Sequence, residues 1–272
     1  MKRVYLEITN SCNLNCPFCK NEKGTNFLTL EEIDKYTTQI KKHCNYIYLH
    51  ILGEPLIHPD FNEILNLLDK KDINLQLVTN GTLLYKYPDI LKHSCLRKLS
   101  ISIHSINNLN IDEKYFKTID GLIETNTNAY IELRFYDKEN LSNDLILYLD
   151  NLKKKYGFDI TPKNSSYKIK DNVYVYFEKL FNWPNINDPY ISNTGKCHGA
   201  IDMIAINSKS DVTICCLDPK AHNKIGNLKE NTLDEILDSD LYKAIINNFK
   251  NNKITTELCS KCTYRLRFWL YA

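Results

Sequence analysis

The sequence predicts an α/β fold: a partial (β/α)6 TIM-like barrel, carrying a small C-terminal domain made of a β-hairpin and a helix. Three observations point there. Strand and helix patterns alternate along residues 1–163, which implies parallel strands joined by right-handed crossovers. The alternation yields six units, too few to close an eightfold barrel. The pattern breaks at Asn164, and residues 197–272 follow a compact pattern of their own.

Taken in order, Val4 to Thr9 reads as the first strand. Thr29 to His43 reads as a helix opened by a capping box between Thr29 and Glu32. Tyr46 to Ile51 is the second strand. Asp60 to Lys71 is a helix with Asp60 as N-cap and Ile64, Leu67 and Leu68 as its apolar stripe. Leu75 to Thr79 is the third strand, closed by the turn dipeptide Asn80-Gly81. Leu84 to His93 reads as a helix despite Pro88. Leu99 to Ile103, Tyr130 to Phe135 and Phe158 to Thr161 read as strands four, five and six, with helices at Tyr115 to Thr125 and Ser142 to Tyr156 between them. Residues 164–196, rich in Asn, Ser, Pro and aromatics, read as an irregular connector. In it, Phe181 and Trp183 suit hydrophobic packing or the lining of a pocket. The C-terminal region, residues 197–272, reads as strands at Met203–Asn207 and Val212–Cys215 and a helix at Thr232–Phe249.

Composition excludes several classes. Of 272 residues, 43% are hydrophobic and 25% charged, an ordinary globular balance. A net charge of +2 gives no basic footprint, so nucleic acid is not expected as a partner. No stretch reaches the ~18 apolar residues of a membrane span. The start, Met1-Lys2-Arg3-Val4, reads as the approach to a strand and not as a signal peptide, so a cytoplasmic location is expected. Ten cysteines are many for that compartment, where clustered thiols bind metal more often than they form disulfides.

Cys12, Cys16 and Cys19 directly follow the first strand. Three soft thiolates this close can hold three irons of a cubane and leave the fourth open to a non-protein ligand. As a closed zinc site the loop is poor, lacking a fourth cysteine or a histidine nearby. The spacing, three residues and then two, with Phe18 before the last cysteine, resembles the signature of the radical S-adenosylmethionine (radical SAM) superfamily. That resemblance implies a [4Fe–4S] cluster whose open iron is chelated by the amino and carboxylate groups of S-adenosyl-L-methionine. Reductive cleavage of the sulfonium then releases a 5′-deoxyadenosyl radical.

The resemblance extends over about residues 3–160. It implies that Gly53, Glu54 and Pro55, after the second strand, bind the methionine ammonium. Leu52 stands where many members carry another glycine. Asn80 in Thr79-Asn80-Gly81 resembles a further cofactor loop. Ser102 resembles a ribose or carboxylate contact, and Arg134 a carboxylate-binding guanidinium. In a barrel, all these positions fall at the C-terminal ends of consecutive strands, where chemistry collects.

Cys197, Cys215, Cys259 and Cys262 form a second group. By spacing, four thiolates suit either a structural zinc or a full cubane. The segment resembles the auxiliary-cluster domain of the same superfamily, SPASM in its long form and twitch in its short form. The resemblance implies one auxiliary [4Fe–4S] cluster on these four cysteines. Cys216 stands as the alternative to Cys215, because neighbours on a strand face opposite ways. Cys44 and Cys95 read as buried small hydrophobes.

A fully ligated auxiliary cluster accepts an electron but does not bind substrate through iron. The favoured function is therefore a radical SAM oxidoreductase that dehydrogenates a small-molecule substrate, such as a carbohydrate or aminocyclitol alcohol, with flavodoxin or ferredoxin as electron donor. The rival is crosslinking or oxidation of a peptide. The first strand begins close to Met1, so no preceding peptide-binding domain is expected. A non-catalytic zinc protein is the third reading. By type alone, His50, His58, His104 and His198 are candidate bases.

Overall fold

The computed structural model describes residues 1–20, 24–126, 128–136, 140–161 and 164–268. In chain order its elements are β1 (Arg3–Leu6), α1 (Leu30–Lys41), β2 (Tyr46–Tyr48), α2 (Phe61–Lys70), β3 (Asn74–Thr79), β4 (Leu96–Ser102), α3 (Glu113–Thr125), β5 (Tyr130–Tyr136), α4 (Asn143–Tyr156), β6 (Ser166–Lys170), β7 (Val173–Glu178), β8 (Met203–Ile206), β9 (Asp211–Thr213), β10 (Lys224–Asn227), α5 (Leu233–Asp238), α6 (Asp240–Lys250) and α7 (Glu257–Ser260). The chain divides into two units. One comprises Met1–Cys12, Lys20–Gly53 and Phe181–Ala272, the other Asn13–Cys19 and Glu54–Leu180.

In the first unit the strand order is β10-β9-β8-β1-β2. β1 lies parallel to both β2 and β8, with Val4 opposite Ile47 and Ile204. β9 runs antiparallel to β8 and to β10. Alternation decides the faces of β1: Val4 and Leu6 are sealed, while Arg3 and Tyr5 point to the other side and stay half-buried. The predicted capping box is present: Glu32 N–H donates to Thr29 Oγ1 at 3.1 Å, and Thr29 N–H to Glu32 Oε2 at 2.9 Å.

In the second unit the order is β3-β4-β5-β7-β6, parallel from β3 through β7. α2 buries Phe61, Ile64, Leu65 and Leu68 on one stripe. Each such side chain is worth about 1.5–3 kcal/mol by transfer from water.

Several elements differ from the sequence expectation. The strand expected at Phe158–Thr161 does not form. The strand that pairs with β5 on the side away from β4 is β7, which reaches its place through a hairpin with β6 inside the expected connector. Asn172 turns that hairpin at φ 60°, a left-handed conformation that Asn tolerates. Leu84–His93 is two short 3₁₀ turns, because Pro88 supplies no N–H and forces Tyr87 out of helical geometry, to φ −124° and ψ 61°. Asp60 makes no side-chain cap; its own N–H donates to His58 Nδ1 at 3.2 Å. The helix expected at Thr232–Phe249 breaks at Ser239, which caps α6 through its hydroxyl. β10 was not expected. It is four residues long and includes Gly226, whose bare backbone lets Ile236 of α5 pack where a Cβ would sit 2.6 Å from it. The boundary expected at residue 163 lies outside the described residues.

Candidate active site

The cysteine loop leaves β1 along Cys12 to Cys19, eight consecutive residues. Its second-unit part is anchored by side chains between the cysteines. Asn13 Nδ2 donates to Thr82 Oγ1 at 2.8 Å, and Asn13 Oδ1 accepts from Asn80 Nδ2 at 2.9 Å. Cys19 N–H donates to Cys16 O at 3.0 Å, a tight turn that draws the last two cysteines together. Cys16 Sγ lies 3.6 Å from the Ser105 carbonyl. Phe18 packs against His104 and Tyr136, each at a ring separation of 5.3 Å, and those two rings stack at 3.6 Å. The aromatic before the last cysteine thus holds the loop's position by packing.

Glu54 is 2% exposed. It accepts from Leu56 N–H (3.1 Å), Thr79 Oγ1 (2.7 Å) and Asn80 N–H (2.7 Å), tying the loop after β2 to the loop after β3. Burial lifts its carboxyl to about 7, against the pull of these three donors. A carboxylate has about four lone-pair sites, so one remains for a further donor. Pro55 starts the 3₁₀ turn that follows. In the first unit, Gly53 adopts φ +76°, and a Cβ there would stand 2.3 Å from the Thr9 carbonyl, so glycine is required.

Ser102 and Arg134 lie opposite each other in the β4–β5 register. The Arg134 guanidinium donates to Glu178 Oε2 at 2.5 Å and to the Tyr136 hydroxyl at 3.3 Å, so a carboxylate ligand must compete with Glu178. Burial and the Arg134 charge push His104 down to about 3, so its ring is neutral and its Nδ1–H donates to the Arg134 carbonyl at 3.0 Å. That engagement gives His104 a packing role. His58 is 1% exposed and receives the Asp60 N–H. His198 pairs with Asp202 at 2.5 Å. The His50 ring stands edge-on to Tyr5 and Tyr48 at 5.8 Å from each.

The second cysteine group lies wholly in the first unit. Cys197, Cys215, Cys259 and Cys262 line one cavity, together with Leu217, Leu258 and Tyr264. Gly199 N–H donates to Cys197 Sγ, Leu217 N–H to Cys215 Sγ and Asn223 Nδ2 to Cys259 Sγ, each at 3.4 Å. Gly199 allows this closeness: a Cβ there would sit 3.3 Å from the Ile214 carbonyl and 3.7 Å from Cys197 Sγ. Burial, and then the neighbouring Cys215, push Cys197 up to about 12. Thiols so placed hold charge only opposite a cation. Among the described residues, no three Cys, His, Asp or Glu side chains close around a single ion. The donor set, four thiols in an apolar cavity, three of them receiving N–H groups, fits a sulfur-ligated cluster. Cys216 is not among the residues that line this cavity; its thiol lies 4.0 Å from Met203 Sδ and within hydrogen-bonding reach of the Cys215 thiol. Cys44 and Cys95 are buried, as expected, and donate to carbonyls. Phe181 packs on Trp183 and Tyr264 at 5.5 and 5.1 Å.

Arg265 escaped sequence reasoning. It is 1% exposed and donates to the carbonyls of Cys259 (2.9 Å), Thr194 (2.7 Å) and Ser192 (2.7 Å), fixing the chain around the last two cysteines. An arginine three residues after Cys262 was its only signal. Asn13 was missed too, because a polar residue between cysteines has no distinctive pattern.

Comparison with known proteins places these features. The radical SAM superfamily matches residues 6–132, and an iron–sulfur cluster-binding domain, SPASM, matches residues 197–263. A probable GTP 3′,8-cyclase of Methanococcus maripaludis is 34% identical over 129 residues, 44% of this chain and 41% of that protein. The GTP 3′,8-cyclase of Aquifex aeolicus is 35% identical over 118 residues, 39% of this chain and 36% of that one. The chain thus spans about two fifths of the curated relatives it matches. Among solved structures, BtrN with AdoMet and 2-DOIA superposes at a TM-score of 0.57 and 16% identity, covering 96% of this chain and 92% of BtrN. The enzyme anSMEcpe with AdoMet and a peptide superposes at 0.62 and 14%, covering 97% and 86%. These likenesses establish the partial-barrel fold.

Proposed function

The chain belongs to the radical SAM superfamily, with a SPASM-type domain, two [4Fe–4S] clusters and S-adenosylmethionine as cofactors; from that premise we propose that it oxidises an alcohol of a small polar substrate, such as a carbohydrate or aminocyclitol, to a ketone. In this reading Cys12, Cys16 and Cys19 hold the first cluster. Gly53, Glu54, Pro55, Asn80, Ser102 and Arg134 bind S-adenosylmethionine, with Phe18 fixing the cysteine loop. Cys197, Cys215, Cys259 and Cys262 hold the second cluster. The bound cofactors supply a 5′-deoxyadenosyl radical. The substrate C–H hydrogen passes to that radical, the hydroxyl proton to a base, and the remaining electron to the second cluster.

One observation carries the reading: the four thiols of Cys197, Cys215, Cys259 and Cys262 line the same cavity. A cluster closed by four cysteines has no iron vacant for substrate, which leaves electron transfer as its role. The likeness over 92% of BtrN, a protein solved with AdoMet and 2-DOIA, supports a small-molecule substrate. A second reading, peptide modification, is favoured by the likeness to anSMEcpe, solved with a peptide bound.

The test is anaerobic incubation of reconstituted enzyme with dithionite, S-adenosylmethionine and deuterated candidates: polyols, aminocyclitols, peptides and, given the curated relatives, GTP. Deuterium appearing in 5′-deoxyadenosine together with a ketone product from a polyol or aminocyclitol is the expected outcome. Transfer from a peptide or from GTP alone sinks the proposal.

A further inference from the structure

The hydrogen-bond donors to the thiols of the second cysteine group are of two kinds. Cys197 and Cys215 receive main-chain N–H groups, those of Gly199 and Leu217. Such donors persist through any substitution except proline. Cys259 receives a side chain, the carboxamide of Asn223, at 3.4 Å. This corner of the site can therefore be adjusted by sequence without touching a ligand.

The chain around Asn223 is built to place that carboxamide. Its loop starts at another thiol of the group: Asp218 N–H donates to Cys215 O at 3.2 Å, and Ala221 N–H to Asp218 O at 3.2 Å. The Asp218 carboxylate, 1% exposed, accepts the N–H of His222 at 2.9 Å and of Asn223 at 2.7 Å. A buried acid thus fixes the main chain from which Asn223 reaches the sulfur. A ligating thiolate has no proton to give, so the carboxamide must offer it the N–H and not the oxygen.

A second side chain stands at the same sulfur. Thr256 Oγ1 is buried and has no hydrogen-bond partner of good geometry among the described residues. The residue holds the N-cap position of α7, yet its side chain caps nothing. Burial pushes the Cys259 thiol up, while the Thr256 hydroxyl pulls it down and so favours charge on the sulfur. A buried hydroxyl without a partner is costly, and a charged Cys259 sulfur supplies one.

We propose that Asn223 and Thr256 set the reduction potential of the second cluster by donating to the Cys259 sulfur, with Asp218 as the residue that positions Asn223. The proposal rests on the reading of Cys197, Cys215, Cys259 and Cys262 as that cluster's ligands. In the step served, the substrate radical left by hydrogen abstraction loses one electron and its hydroxyl proton to become the ketone. The proton goes to a base and the electron to the second cluster. The added electron brings negative charge, which donors at a ligating sulfur stabilise. Both side chains therefore raise the potential and favour acceptance of the electron.

The readout is a potential, so the experiment needs no substrate. The full chain, reconstituted without air, is titrated potentiometrically and followed by electron paramagnetic resonance. The wave that survives in Cys16→Ala belongs to the second cluster, and the other wave is an internal control. Asn223→Leu and Thr256→Val, close in shape to the parent side chains, should each shift the second reduction equilibrium about tenfold toward the oxidised form, a fall of about 59 mV, and the double variant further. Iron content and the first wave should match the parent. Asp218→Asn should move the second midpoint the same way by less; an unmoved midpoint denies it the positioning role. A second midpoint within about twofold of the parent's equilibrium in either variant, or above it, overturns the proposal, as does an equal shift of both waves. Where Asn223→Leu loses iron, Thr256→Val decides alone, because its hydroxyl supports no cap. Iron loss from both overturns the proposal, since the side chains would then hold the ligands in place and not tune them. A Cys16→Ala protein with neither iron nor a reducible wave refutes the reading of the four thiols as ligands, and the proposal falls with it.

Discussion

The two cysteine groups achieve opposite ends by opposite means. Cys12, Cys16 and Cys19 come from one short run of chain, so three thiols, the ligands of the proposed first cluster, arrive together. Cys197, Cys215, Cys259 and Cys262 come from three distant segments and share a cavity only because the surrounding fold brings them there. The first group stops at three and depends on small clamps, Asn13 to Asn80 and Phe18 to His104 and Tyr136. The second reaches four and depends on a scaffold: Gly199, Asn223 and the buried Arg265. A ligand set that must leave a corner open can be local. One that must be closed is secured by tertiary structure.

The comparison breaks most sharply at its first half. Cys16→Ala should abolish 5′-deoxyadenosine release and remove roughly half of the iron, with the second cluster retained. Parallel iron analysis and electron paramagnetic resonance check this; a variant with parental iron and turnover ends the account. Next, Cys215→Ala should lose the second cluster's iron and spectrum, whereas Cys216→Ala should keep both clusters. The reverse result would exchange the two residues' roles.

Arg265→Met tests the scaffold. Three carbonyls lose a donor, although those of Thr194 and Cys259 each keep another, which should cost about 3 kcal/mol at roughly 0.5–1.5 kcal/mol per bond. Chemical unfolding measures it, and a change under about 1 kcal/mol would mean that the second site is as local as the first.

Glu54 gives a smaller, pH-dependent effect. Its folded carboxyl titrates near 7, above its ordinary value of 4.5. The native state therefore binds more protons than the unfolded chain between those values. Stability from this group is full below pH 4.5, falls as pH rises to about 7, and is flat beyond. The loss amounts to about 3 kcal/mol. Urea unfolding of the metal-free protein at acid and alkaline ends of this window, beside Glu54→Gln, isolates the contribution. Equal pH slopes in both proteins would refute it.

What could be read from the sequence follows the same divide. The strand–helix alternation, the Thr29–Glu32 box and the cysteine loop all depend on residues a few positions apart, and all were legible. The β6–β7 hairpin was passed over although it carries a local signal, the turn residues Asp171-Asn172 before the alternating run Val173 to Phe177, because the polar, proline-containing stretch around it reads as irregular. Ser239 hid a helix break, since serine is tolerated inside helices and its capping role shows only in three dimensions. Adjacent in sequence, Cys215 and Cys216 could not be told apart by spacing, and β9 ends at Thr213, before both. Arg265 could not be found at all, because its partners are backbone carbonyls as far away in sequence as Ser192 and carry no signature of their own.

The pairing of β1 with β8 places Arg3 beside Met203, partners two hundred positions apart. During synthesis, the strand that leads into the first cysteine loop keeps a bare edge until β8, two hundred positions later, has left the ribosome. Contacts of that span close slowly. Emergence of β8, rather than of the first cysteines, therefore sets the moment at which β1 becomes secure against mispairing.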